Sequence, residues 1–74
     1  MANKNESIGD RIRAARLKMG ISQRELGRRA GLGFTGVCQA ESGKYDLRSR
    51  NLHAISIELG VSMEFLMTGK NIEK

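Results

Sequence analysis

Cys38 and His53 each occur once and the eight acids are scattered, so the sequence offers no Cys-His-acid set, no paired carboxylates and no metal-ligand spacing. A phosphate-cradling glycine loop is also missing, and an enzyme or a bound cofactor is not expected. What the chain does carry is positive charge in one place. Residues 11–50 hold ten Arg or Lys against three acids, Glu25, Glu41 and Asp46, a net +7, whereas residues 1–10 and 51–74 each stand at −1. With a net charge of +5 and an isoelectric point near 10.0, the chain concentrates a basic field that draws polyanions. Nucleic acid is the first candidate and an anionic membrane surface the second, with a solvated basic face that binds nothing as the plain alternative.

Seventy-four residues make one small domain, and a chain of that size needs compact packing. Apolar residues are 39% of it, aromatics only 4%, and Trp is absent, so the core must come from Leu, Ile, Val, Met and Ala. That composition suits small helices. No apolar run is long enough for a bilayer, no signal-peptide pattern is present, and one Cys excludes an internal disulfide. A cytoplasmic protein is the expectation. Residues 1–6 read as a flexible arm and 70–74 as a flexible tail on a single domain spanning 1–74.

Five short helices must position the charge. Ser7, with Asp10 three residues on, caps a first helix whose apolar stripe runs through Ile8, Ile12, Ala15 and Met19 and stops at Gly20. Arg16 falls inside that stripe, while Arg11, Arg13 and Lys18 point elsewhere. Ser22 and Glu25 form a capping box, flanked by a staple of Ile21 and Leu26, and start a second helix at Gln23. Arg24, Arg28 and Arg29 lie off its Leu26 and Ala30 face and should be exposed. Gly31 marks a reversal at positive φ, and Gly27 lies where the next helix must cross closely.

The third helix spans roughly residues 34–42 and ends at Gly43. At about 100° per residue, Val37, Ala40 and Glu41 cluster on its inner side, Thr35, Cys38, Gln39 and Ser42 on its outer side, and Phe34 at the edge. Glu41 thus faces inward from the third helix and Arg16 from the first, which makes them the natural buried pair; snorkelling of both to solvent is the alternative. Lys44 to Arg48 form a turn. Ser49 caps a fourth helix through Leu52, Ile55 and Leu59, ended by Gly60, and Ser62 caps a fifth, MEFLMT, ended by Gly69.

With these positions assigned, the chain resembles the lambda-repressor-like helix-turn-helix family, closest to the amino-terminal domains of temperate-phage repressors and Cro proteins. The resemblance covers residues 8 to about 69. It rests on IGDRIRAARLKMGISQRELGRRAGL, on ESGK closing the third helix and on NLHAISIELGVSMEFLMTG. It implies an all-α, compact five-helix DNA-binding domain in which the second and third helices form the helix-turn-helix. It further implies a transcriptional regulator of repressor type that binds a palindromic double-stranded operator as a homodimer, the third helix entering the major groove.

Residue by residue, the resemblance places Gln23 on a phosphate and as a brace for the third helix, with Arg24 beside it. Lys44, Arg48 and Arg50 match the segment that grips the sugar-phosphate backbone. Phe34, Thr35, Cys38 and Gln39 occupy base-reading positions: Gln39 suits the adenine N6/N7 edge and Phe34 a thymine methyl. Arg16 and Glu41 match the family's buried ion pair. Dimer contacts are expected after Gly60, from among Met63, Phe65 and Met67. No cofactor, metal, membrane or small-molecule ligand is implied.

The departures fall on the reading helix. Gly33 stands where a capping Ser or Thr is usual, and Gly36 lies inside the helix, which together suggest a soft element short of up to about 1 kcal/mol in intrinsic propensity. Phe34 and Cys38 replace polar side chains, so readout through DNA shape or half-site spacing is expected to matter. Cys38 invites a redox role against the plainer one of a small filler, and His53 reads as a surface residue. The competing function is a protein-interaction module of antitoxin or anti-repressor type on the same fold.

Overall fold

The computed structural model describes residues 7–43 and 49–69, with residues 49 and 50 as backbone alone. Five helices follow in order: α1 (Ile8–Met19), α2 (Gln23–Ala30), α3 (Gly33–Ser42), α4 (Ser49–Leu59) and α5 (Met63–Thr68). There is no strand among the described residues, and no helix is long and apolar enough to cross a membrane. The arm at 1–6, the turn at 44–48 and the tail at 70–74 lie outside the described residues.

Every helix contributes to one core. Ile12, Leu26, Val37, Ala40, Leu52, Ile55, Leu59 and Leu66 are buried together, and the 52, 55, 59 spacing shows α4 turning a single face inward. Ser7 and Asp10 form a full capping box on α1, each side chain accepting from the other's backbone N–H at 3.2 and 3.1 Å. Ser62 caps α5 by accepting from the Phe65 N–H at 2.9 Å.

Several sequence expectations need correction. Met19, assigned to the apolar stripe of α1, is 43% exposed at the last residue of the helix, past Ile8, Ile12 and Ala15, which do reach the core. Arg11, read as pointing outward, is buried: its Nε donates to the Leu66 carbonyl at 2.7 Å and its Nη2 to the Met67 carbonyl at 2.9 Å. A guanidinium has enough donors to satisfy carbonyls at a helix C-terminus, which explains how a charge sits there. Ser22 caps α2 through the Glu25 N–H at 3.0 Å, but the Glu25 carboxylate is turned to Arg28 and Arg29 instead of closing a reciprocal box. The expected Ser49 cap of α4 falls at the edge of the described residues, where only the Ser49 backbone is described.

The α2–α3 corner depends on missing side chains. A Cβ on Gly27 would land on the backbone carbonyl of Gly33 and lie 3.0 Å from the Phe34 nitrogen. Gly31 has φ +76° and Gly33 also has φ +76°, so the chain reverses through two left-handed residues. Gly33 is therefore not simply a lost cap. Its backbone conformation disfavours the Ser or Thr usual there, and the N-cap Leu32 makes no side-chain cap bond. α3 thus starts at Gly33, one residue before the expected start. Gly9 does similar work between α1 and α3, since a Cβ there would fall 2.6 Å from the Ala40 carbonyl oxygen and 2.9 Å from the Glu41 carbonyl carbon.

Candidate nucleic-acid interface

The inner side of α3 anchors it, and the outer side is left open. Val37 and Ala40 are buried against the core, and Glu41 below them is buried too. On the opposite side Phe34, Thr35, Cys38 and Gln39 are all exposed, so every residue assigned to base reading shares one accessible face. Cys38 is a free thiol on that face, and His53 is exposed on α4.

Glu41 is the centre of a polar strut. Arg16 Nε lies 2.6 Å from Glu41 Oε2, and Arg16 Nη2 lies 3.2 Å from Oε1. Arg16 Nη1 donates to the Ile21 carbonyl at 2.9 Å, fixing the guanidinium against the α1–α2 turn. Gln23 Nε2 donates to Glu41 Oε1 at 3.0 Å. The first residue of α2 therefore braces the last turn of α3, in the role the resemblance implied. Only 8% of the Arg16 side chain and 4% of the Glu41 side chain is exposed, so snorkelling to solvent is ruled out for both. Burial of charge at this depth is tolerated because each partner is met by a charged or polar group. No buried side-chain polar atom lacks a partner among the described residues.

The outward side of α2 carries the cations. Arg24, Arg28 and Arg29 are all exposed, as the helical phase requires. Arg28 and Arg29 both bind Glu25, Arg28 through Nε at 3.1 Å and Nη2, Arg29 through Nε at 2.7 Å. The Arg28 guanidinium, and after it that of Arg29, hold the Glu25 carboxyl down at about 2, and the same contact raises the Arg28 pKa. Arg24 takes a different partner: its guanidinium carbon stands over the Phe34 ring, 5.3 Å from the centroid. Lys44 and Arg48 lie outside the described residues, and Arg50 belongs to α4 with only its backbone described.

Sequence reasoning missed Gly9, the inward Arg11, the doubly used Glu25 and the Arg24–Phe34 contact. Arg11 was within reach of periodicity, being three residues after Ile8 and four before Ala15 on the same side of the helix. A glycine in the first turn of α1 was also a signal of close approach. Nothing in the spacing pairs Arg24 with Phe34, because the turn between them sets their distance.

The geometry is that of a helix-turn-helix unit. A helix-turn-helix family model matches residues 12–66, and the chain belongs to that family, as a DNA-binding transcription regulator of the Cro and phage-repressor type. Among solved structures it is similar to the P22 c2 repressor protein in complex with synthetic operator 9T, at 33% identity and a TM-score of 0.85, covering 89% of this chain and 100% of that one. The solution structure of the P22 c2 repressor DNA-binding domain matches at 33% identity and a TM-score of 0.80, covering 86% of this chain and 84% of that one. A hypothetical transcription factor from Neisseria, NHTF, matches at 30% identity and 0.77, with coverage of 80% and 66%.

Proposed function

We propose that the chain is a repressor that binds a palindromic DNA operator as a homodimer, with α3 of each protomer in the major groove. The observation that carries this reading is the two-sidedness of α3: Val37, Ala40 and Glu41 are buried, while Phe34, Thr35, Cys38 and Gln39 stand together in solvent. A reading helix needs a rigid back and an accessible front. Gln39 supplies a paired donor and acceptor for an adenine edge, and Thr35 a hydroxyl and a methyl. Gln23 spends one amide hydrogen on Glu41 and keeps the second for a phosphate. Arg24, Lys44, Arg48 and Arg50 supply charge to the backbone contact, which orients the domain without reading sequence.

The operator of the P22 c2 repressor complex supports duplex DNA as the partner. For the dimer contact, Met67 on α5 is 54% exposed and Ile57 on α4 is 61% exposed. Met63 and Phe65, the other expected contributors, are partly buried against this chain's own core, leaving Met67 from that set. A protein-interaction module is the competing reading, and its attraction is the exposed ring of Phe34. That ring has a guanidinium standing over it, which makes it a poor anchor for an apolar partner.

Selection of bound sites from random duplexes tests the reading. Two inverted half-sites with centres about one helical turn apart are expected. Recovery of unrelated sequences, or of single half-sites bound by a monomer, would contradict it.

A further inference from the structure

Arg24 differs from the other cations of α2. Arg28 and Arg29 are committed to Glu25, whereas none of the ion pairs among the described residues includes Arg24. No described carboxylate pairs with its guanidinium, which has a definite seat over the face of Phe34 at 5.3 Å from the ring centroid. An aromatic face attracts a guanidinium through its quadrupole and limits where the long side chain can go. Arg24 is the second residue of α2, beside Gln23, and Phe34 is the second residue of α3, beside Thr35. The contact therefore links the start of the bracing helix to the start of the reading helix.

We propose that Arg24 contacts a DNA phosphate and that Phe34 is the residue that positions it. This rests on the duplex-binding function proposed above. Phe34 then acts through Arg24 and does not read a thymine methyl itself, because the ring face under the guanidinium is already in use. A planar, forked guanidinium suits a phosphate, and one already held in place loses less freedom on binding than a solvated arginine. Specificity follows indirectly. Arg24 grips the backbone only when α3 is seated at the depth that brings Phe34 alongside, so the pair couples phosphate contact to the register of Thr35 and Gln39 on the bases.

The test compares the wild-type chain with Arg24→Gln, Phe34→Leu, Phe34→Trp and the Arg24→Gln/Phe34→Leu double variant. Each is titrated with a duplex selected from a random library and with one unrelated duplex, across a range of salt. Arg24→Gln should lower the steepness of the salt dependence by about 1.8, the value of one phosphate contact from each protomer of the dimer. Phe34→Leu should weaken binding to both duplexes about two- to fivefold and move the salt slope in the same direction, with the double variant no weaker than Arg24→Gln alone. Phe34→Trp, which keeps an aromatic face, should retain the wild-type slope. Additive losses, or a Phe34→Leu loss confined to one base pair at an unchanged slope, would overturn the proposal. In the protein without DNA, ring-current shifts of the Arg24 side-chain protons should vanish in Phe34→Leu at an unchanged helical circular-dichroism spectrum; their absence in wild type would also overturn it. If the wild-type chain bound neither duplex in a salt-dependent way while those ring-current shifts were present, the duplex-binding function itself would fall, and this inference with it.

Discussion

Glu41 of α3 takes Arg16 of α1 in a two-pronged contact, Nε 2.6 Å from Oε2 and Nη2 3.2 Å from Oε1, in a site where both side chains are less than a tenth exposed. The candidate reading helix is thus tied to α1. Truncating one partner leaves a buried charge uncompensated, and Arg16→Met should cost about 3 to 5 kcal/mol in urea unfolding. Adding Glu41→Leu should recover part of that loss, because no charge then remains inside. The recovery stays partial since the Ile21 carbonyl and the Gln23 amide lose their partners. Strict additivity of the two losses would show that the groups do not act on each other.

The close approaches at Gly27 and Gly9 lead to a second expectation. A methyl group at either position meets backbone, which cannot rotate away. Gly27→Ala and Gly9→Ala should each lower stability by about 1 to 3 kcal/mol or more, a large share of the roughly 4 to 11 kcal/mol typical of a domain this size. Gly33→Ala meets open space but must adopt φ near +76°, so about 1 to 2 kcal/mol is expected there. Denaturant midpoints of the three variants check this, and a wild-type midpoint for Gly27→Ala would show that the α2–α3 corner can open freely.

Arg11 should hold α5 in place. Its two bonds to the Leu66 and Met67 carbonyls satisfy groups that the end of a short helix leaves open. Arg11→Met keeps much of the volume and removes the donors, and a cost of about 1.5 to 3 kcal/mol follows from losing bonds to a charged group. Amide exchange should accelerate most in residues 63–69. Uniform acceleration across all helices would mean that Arg11 serves the core generally rather than α5.

Glu25 gives a pH signature. Its carboxyl, held by Arg28 and then Arg29, titrates at about 2 when folded, below the ordinary 4.5. A lowered folded pKa means that the contribution to stability is fully present above 4.5 and fades as pH falls toward 2. Because the group is at the surface, salt should screen the effect and keep it modest. Carbon-detected titration of the Glu25 carboxyl should give a midpoint near 2 at low salt, rising with added salt. An ordinary midpoint at low salt would show that the two arginines are solvated apart.

Much of this was readable from the sequence because it depends on local rules. Ser7, Ser22 and Ser62 announce helix starts through the hydrogen bonds of their own hydroxyls, and the Arg16–Glu41 strut follows from helical phase once two helices are placed. What escaped depends on distances set by turns. Gly33 looked like an absent cap because its φ is invisible in a one-letter code, and Phe34 looked like a free reader because nothing local shows that Arg24 reaches it. Arg11 escaped for another reason: the stripe of α1 was drawn too narrow, and a charged residue on its border was assigned to solvent.

The central claim is that the exposed face of α3 reads bases while its buried face is held by Glu41. Binding of Gln39→Ala to the selected operator and to its full set of single-base variants tests that claim most directly. The expected result is a loss of about 2 to 6 kcal/mol against the wild-type operator, about 1 to 3 from each protomer, with discrimination relaxed at one base pair per half-site and the salt slope unchanged. A loss spread evenly over operator and unrelated duplexes, or no loss at all, would contradict it.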